Sequence, residues 1–143
     1  MGLLDNYSDK SGLLGLGMTP RPSGEHQEAI ALLLIALRAN FNNIYKILPE
    51  SAIDLNNLNS KAPDIVFYKK NATVSCFFIE ITTTKETKKI MAKCNQVMKK
   101  YNITECLIYD YELNIYHKIT AIPHATQINS YSDFLKANLI DYL

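Results

Sequence analysis

Two acidic residues, Asp64 and Glu80, lie within stretches that are otherwise apolar, β-branched and aromatic. Residues 65–68 and 73–82 have the composition of two strands, and the polar residues between them are typical of a turn. If that turn is centred near Ala72, both acids lie eight residues from its centre. Because side chains alternate along a strand, the spacing predicts two carboxylates directly opposite each other on one face of an antiparallel pair.

Two neighbouring carboxylates in apolar surroundings are unfavourable unless a positive charge compensates them, since burial and mutual repulsion both oppose ionisation. A divalent cation provides that compensation. Mg²⁺ is bound through one or two carboxylates, and it lowers the pKa of bound water and offsets charge on a phosphate. Asp64 and Glu80 therefore predict a metal site. The alternative is that Asp64 ends a loop and Glu80 pairs with a lysine.

The elements that position these acids can be read from hydrophobic periodicity. A first helix is predicted from Ser23, a favourable N-cap residue, to about Asn40. Residues 45–48 predict a short strand, and residues 50–62 are polar enough to form a loop. One face of the first helix carries His26, Ile30, Leu33 and Leu37.

The second half of the chain predicts a helix over residues 85–101 and strands over 106–109 and 115–119. A last helix is predicted after Ser130 or Ser132, through Leu135 and Leu139. The strand at 73–82 is apolar on both faces, which is typical of a central strand covered on each side. This order of elements predicts an α/β fold in which a mixed β-sheet is flanked by helices.

Length and composition limit the possible classes of protein. The 143 residues, 48% of them hydrophobic, correspond to one globular domain, with residues 1–22 predicted as an irregular N-terminal arm and 23–143 as the domain. No apolar run is long enough to span a membrane, so a membrane partner is not expected. Three cysteines without metal-binding spacing and the absence of a secretory signal favour a cytoplasmic protein.

Pro63-Asp64 followed by Glu80-Ile81-Thr82 resembles the PD-(D/E)XK nuclease superfamily. Residues 22–28 and 101–110 extend the likeness, and the order of all these motifs is similar to that of the Uma2 family of restriction-endonuclease-like proteins. The resemblance implies a restriction-endonuclease-like fold and metal-dependent hydrolysis of DNA with Mg²⁺ or Mn²⁺. It also implies Asp64, Glu80 and the carbonyl of Ile81 as metal ligands, and a supporting catalytic role for His26, whose alternative role is structural.

The sequence departs from the family pattern at the catalytic lysine. Thr82 occupies that position and supplies no positive charge. Uma2-like proteins tend to carry the lysine on the following helix, where ungapped counting reaches Cys94, one residue after Lys93. Lys93 is therefore the candidate residue to stabilise the charged transition state or to orient the water, because its long flexible side chain can turn towards the acids. The departure also favours a second hypothesis, a catalytically degenerate member that binds nucleic acid or protein.

The same helix carries an excess of positive charge. Residues 85–101 contain six lysines and a single acid, Glu86. Phosphates favour such a stripe, so DNA is the predicted partner through Lys85, Lys88 and Lys89. The alternative is an ordinary solvated helix face. The sequence also leaves open a homodimer. An unrelated α/β domain with a chance motif is the alternative to the family resemblance.

Overall fold

The computed structural model describes residues 24–142. The predicted arm at residues 1–22 and the proposed N-cap residue Ser23 lie outside the described residues. No helix within 24–142 combines the length and the apolar character needed to cross a membrane. The helices and strands are α1 (Gly24–Phe41), β1 (Tyr45–Pro49), β2 (Ile65–Lys69), β3 (Phe77–Thr82), α2 (Thr87–Tyr101), β4 (Glu105–Asp110), β5 (Ile115–Ala121), β6 (His124–Ile128), β7 (Tyr131–Ser132) and β8 (Ala137–Asn138).

Six strands form one mixed sheet in the order β1-β2-β3-β4-β5-β6. β3 and β4 are parallel and are connected through α2, whereas the other neighbouring pairs are antiparallel. Every residue of β3 and β4 is buried, as expected for central strands that are covered on both faces. The predicted α/β architecture, a mixed sheet flanked by helices, is confirmed.

The two faces of the sheet have separate cores. Leu33 and Leu37 of α1 pack with Phe77 and Ile79 on one face, and α2 packs with Phe78 on the other. Because side chains alternate along β3, Glu80 and Thr82 share the α2 face with Phe78. The α2-side core consists of Ile53, Phe78, Cys94, Val97, Met98, Ile103, Cys106, Ile108 and Ile119.

The predicted strand over residues 73–82 is too long, because β3 begins at Phe77. The backbone of the preceding residues bonds to the loop after β1 instead: Leu55 N–H donates to the Thr73 carbonyl and Ser75 N–H donates to that of Ile53. Ser75 Oγ donates to the Phe67 carbonyl as well, at 2.9 Å. These bonds leave residues 73–75 outside β3, which a β-branched composition alone does not reveal.

The predicted C-terminal helix is wrong. Ser132 does accept a hydrogen bond from Leu135 N–H at 2.9 Å, as a helix-capping serine would. The turn does not continue, because Lys136 has a left-handed φ of 55° and the chain reverses. β7 and β8 then form a short hairpin, followed by a 3₁₀ turn at Leu139–Tyr142. Leu135 and Leu139 still bury against the α1-side core, as their apolar character requires.

Three further differences from the predicted elements occur around α2 and β5. Residues Thr84–Glu86 form a 3₁₀ turn, so the predicted helix at 85–101 begins as an α-helix only at Thr87 and Lys85 lies ahead of it. β5 extends to Ala121. β6 had no sequence signal, since its sequence, His-Ala-Thr-Gln-Ile, is mostly polar and exposed.

A buried ionic cluster attaches the C-terminal hairpin to the sheet. Lys118 of β5 is 3% exposed and bonds to Asp133, while Ser132 Oγ donates to Glu105 of β4 at 2.6 Å. Glu105 also accepts a hydrogen bond from Asp133 N–H at 3.0 Å. Burial raises the pKa of Glu105, and its hydrogen bonds and Lys118 oppose that rise. Lys118 and the hydrogen-bond donors of Ser132 and Asp133 compensate the buried carboxylate of Glu105, so we assign the cluster a structural role.

Candidate functional site

Asp64 and Glu80 are opposite each other, in the register that the spacing predicts. Asp64 lies immediately before β2, where the pairing of Ile65 with Ile79 continues towards it. Asp64 N–H donates to Glu80 Oε1 at 2.9 Å, and Ile81 N–H donates to Asp64 Oδ2 at 2.7 Å. Each carboxylate is therefore fixed by the backbone of the strand that carries the other acid.

Burial makes Glu80 the electrostatically unusual member of this pair. Its exposed fraction is 9%, and burial followed by the charge of Asp64 raises the pKa of the Glu80 carboxyl to about 8. The Asp64 N–H and the ammonium of Lys93 oppose this rise. At neutral pH the carboxyl of Glu80 is therefore mostly protonated until a cation compensates the pair.

His26 of α1 contacts Asp64 and the backbone of Ile81, the residue after Glu80. Its Nε2 lies 3.0 Å from the Ile81 carbonyl, to which it donates, and 3.5 Å from Asp64 Oδ2. The ring of Tyr111 meets the imidazole edge-on, with 6.2 Å between ring centroids. The helix-start histidine thus lies at the predicted site, although it is distant in sequence from both acids.

A small cleft of about 40 Å³ opens next to Glu80 on the α2 face of the sheet. Lys93 lines this cleft, as does Lys61 from the loop ahead of β2. The other lining residues are Ala62, Pro63, Phe78, Cys94 and Val97. The structure therefore brings together Glu80 and the one lysine that the sequence singled out for catalysis.

Cys94 and Thr82, the two positions where counting places a family lysine, hold uncharged buried side chains. Cys94 is 1% exposed, and its hydrogen bond to Cys106, together with burial, raises the pKa of its thiol. It is a core thiol. Thr82 is 3% exposed and donates from Oγ1 to the Thr83 carbonyl at 3.1 Å. Any positive charge on the α2 side of the carboxylates must come from another residue, and Lys93 is adjacent.

The predicted nucleic-acid-binding lysines lie apart from the cleft. Lys85, Lys88 and Lys89 are exposed around the beginning of α2, and none of them lines the cleft. Lys89 lies 3.9 Å from Glu86 in an exposed pair, which is weak in water. Most of the positive charge at this end of α2 is therefore available to solvent.

A solved structure shares this arrangement of helices and strands. It is the crystal structure of "a putative nuclease belonging to DUF820" from Anabaena variabilis, which is similar over 86% of this chain and 84% of its own, with a TM-score of 0.63 and 12% sequence identity. The fold is restriction-endonuclease-like. The type IIG restriction endonuclease BpuSI matches 73% of this chain over 13% of its own, at 13% identity and a TM-score of 0.45. No family model matches the sequence, and no curated protein matches it.

In this restriction-endonuclease-like fold, the donor atoms at the site suit a hard cation. Asp64, Glu80 and the carbonyl of Ile81 supply only oxygen, which Mg²⁺ and Mn²⁺ prefer. Within residues 24–142, no three side chains of His, Cys, Asp or Glu converge as a ready metal cage. A bound Mg²⁺ would therefore keep several waters, which is its usual state in proteins. The residues present fit such an ion.

Sequence reasoning missed two contributors to the site. Lys61 is one, since nothing distinguishes a loop lysine three residues ahead of Asp64 until the loop folds over the cleft. Asp110 is the other: it is 1% exposed and accepts hydrogen bonds from Thr84 Oγ1 at 2.7 Å and Glu112 N–H at 3.0 Å. It holds the turn that leads into α2. The only signal for it was its place at the end of residues 101–110, one of the stretches that carry the family resemblance.

Proposed function

We propose that the chain is a Mg²⁺- or Mn²⁺-dependent nuclease that hydrolyses phosphodiester bonds of DNA. The observation that carries this proposal is the pairing of Asp64 with the buried Glu80, whose pKa is raised to about 8. A strongly shifted carboxyl beside a second acid and a lysine, at the edge of a cleft, is characteristic of functional sites. The likeness in fold to a protein described as a putative nuclease supports the same class of reaction.

Asp64, Glu80 and the Ile81 carbonyl are the proposed ligands of the cation. When bound, the cation would make water more acidic and offset negative charge on the phosphate. His26 donates to the Ile81 carbonyl and approaches Asp64, so it orients two ligands of the set. We assign it a positioning role, because its contacts are with the ligands themselves.

Lys93 is the proposed stabiliser of the charged transition state. Its ammonium interacts favourably with ionised Glu80 and lines the same cleft. A cation in that place favours negative charge on a phosphate oxygen and opposes the rise in the pKa of Glu80, both of which assist hydrolysis. Lys61, in the loop ahead of β2, lines the same cleft, so it is the second candidate for this role.

The test of the function is incubation of the purified protein with duplex DNA and with RNA of matched sequence, in Mg²⁺, in Mn²⁺ and in EDTA. We expect DNA cleavage only with a divalent cation. Lys93→Ala should lower the rate about 100-fold, the scale of losing one transition-state stabiliser. Lys99→Ala, an exposed lysine on the same helix, should leave the rate unchanged. Cleavage that persists in EDTA contradicts the metal-dependent mechanism.

Binding to DNA should depend on salt through the lysines at the beginning of α2. Each phosphate neutralised on duplex DNA contributes about −0.9 to the slope of log affinity against log salt concentration. The double variant Lys88→Ala, Lys89→Ala should reduce the magnitude of the slope by about 1 to 2, measured by fluorescence anisotropy between low and physiological salt. An unchanged slope, or no binding at low salt, removes this surface from the DNA contact.

A catalytically degenerate binding module is the second candidate function. Thr82 favours it, because a buried, uncharged side chain occupies the position of the family's lysine. The two functions differ in one result. A degenerate module binds DNA or protein without cleaving DNA at any concentration of Mg²⁺ or Mn²⁺, whereas the nuclease cleaves.

A further inference from the structure

We infer that the outer edge of β6 is a homodimer interface, in which β6 of one protomer pairs antiparallel with β6 of a second copy. The inference goes beyond the nuclease function and is independent of it. β6 is an edge strand of the sheet: within residues 24–142, β5 pairs with one side of β6 and no strand pairs with the other side. An open strand edge offers a row of backbone donors and acceptors to another chain.

The two edges of the sheet differ in how they are protected. β1, the opposite edge, contains Lys46 and Pro49, which are the kinds of residue that discourage edge pairing. β6 reads His-Ala-Thr-Gln-Ile and has neither proline nor a lysine or acidic residue. A strand that lacks these protective residues is suited to pairing with another strand.

The backbone of β6 is in the correct phase for such pairing. Asn129 N–H donates to the Tyr116 carbonyl, so this pair is a hydrogen-bonded one. Hydrogen-bonded and non-hydrogen-bonded pairs alternate along an antiparallel ladder, so Gln127 also turns its backbone groups towards β5. By the same alternation, the backbone groups of His124, Thr126 and Ile128 point outwards.

A two-fold axis through Thr126 uses all of these outward groups. Thr126 would face Thr126 of the second copy, and His124 would face Ile128 of the second copy on both sides of the axis. A two-fold interface requires this self-complementarity, because the same surface patch is used by both protomers. Threonine pairs directly across a strand pair are also favourable.

Next to β6 the structure has both an exposed apolar side chain and a cavity, which would meet across the proposed two-fold axis. Ile128 and Ile122 are 68% and 89% exposed. A cavity of about 660 Å³ lies between the second half of α2 and the β5–β6 turn, and its wall includes His124, Ile122 and Met98. In the proposed pairing, Ile128 of each protomer lies beside His124 of the other, at the mouth of this cavity.

A disulfide test addresses the pairing register. In a hydrogen-bonded antiparallel pair, the Cα atoms of the two facing residues are about 5.5 Å apart, within the range that a disulfide spans. Thr126→Cys should therefore form an intermolecular disulfide under mild oxidation. Gln127→Cys is the matched control and should cross-link far less. In the proposed register residue 127 lies diagonal to residue 127 of the second copy, about 7–8 Å away. Its side chain is on the opposite face of the sheet from that of Thr126.

Sedimentation velocity tests the association itself. A single strand pair with small flanking contacts forms a weak interface, so the protein concentration should range from about 1 to 100 µM. We expect a concentration-dependent dimer. Ile128→Lys should raise its dissociation constant at least tenfold, and Leu58→Lys, which replaces an 81% exposed leucine in the loop after β1, should not. A monomer throughout the range, equal cross-linking of both cysteine variants, or a dimer insensitive to Ile128→Lys would overturn the inference.

Discussion

Replacement of Asp64 by asparagine is expected to abolish metal-dependent DNA cleavage, with a loss of about 10³-fold or more, while the protein stays folded. The amide oxygen of asparagine can still accept the hydrogen bond that Ile81 N–H donates to Asp64 Oδ2. The negative charge needed to hold a divalent cation is lost. The variant therefore separates the proposed metal ligand from the structural acceptor, which an alanine substitution does not.

A matched control is available in the loop after β1. Asp54 accepts a hydrogen bond from Asn56 N–H at 2.9 Å, so Asp54→Asn makes the same chemical change at an acid outside the site. Its cleavage rate should equal that of the wild type. Isothermal titration with Mn²⁺ should show binding to the wild type and to Asp54→Asn, and much weaker binding to Asp64→Asn. Full activity of Asp64→Asn would remove this residue from the site.

The acid pair could be predicted from sequence because its geometry depends on local rules. Strand alternation and a turn centred near Ala72 determine which residues face each other, and the structure continues that register to Asp64 and Glu80. The position of Lys93 depends on how the chain enters α2. The 3₁₀ turn at Thr84–Glu86, held by Asp110, sets the entry into α2, and a tertiary hydrogen bond of that kind leaves no periodic signal.

The C-terminal region shows where local signals are insufficient. Ser132 caps a single turn instead of the predicted helix, and the direction of the chain afterwards is set by Lys136 in a left-handed conformation and by the pairing of β7 with β8. β6 was missed for a different reason: an exposed edge strand needs no alternation of apolar residues. Contacts between distant segments, such as that of His26 with Ile81, could be predicted only through the family resemblance.

The stability of the metal-free protein should fall as the pH rises from about 4.5 to about 8, and Glu80→Gln should remove much of this dependence. Glu80 has a pKa near 8 in the folded protein, against an ordinary value of 4.5 in the unfolded chain. Between these values the folded state binds more protons than the unfolded state, so unfolding becomes easier as the pH rises. The stabilisation is fully present below pH 4.5 and is lost as the pH passes 8.

Glutamine resembles the protonated acid and keeps an oxygen for the Asp64 N–H, so Glu80→Gln should be more stable than the wild type at pH 8 by about 4 kcal/mol. The two proteins should converge near pH 4. Urea unfolding from pH 4 to pH 9 in EDTA measures the difference, with Glu28→Gln, an exposed acid on α1, as the control. Adding Mg²⁺ at pH 8 should stabilise the wild type and not Glu80→Gln, because ligand binding to the folded state alone raises its stability. Equal stability of both proteins at pH 8 would show that Glu80 is not buried beside a second charge.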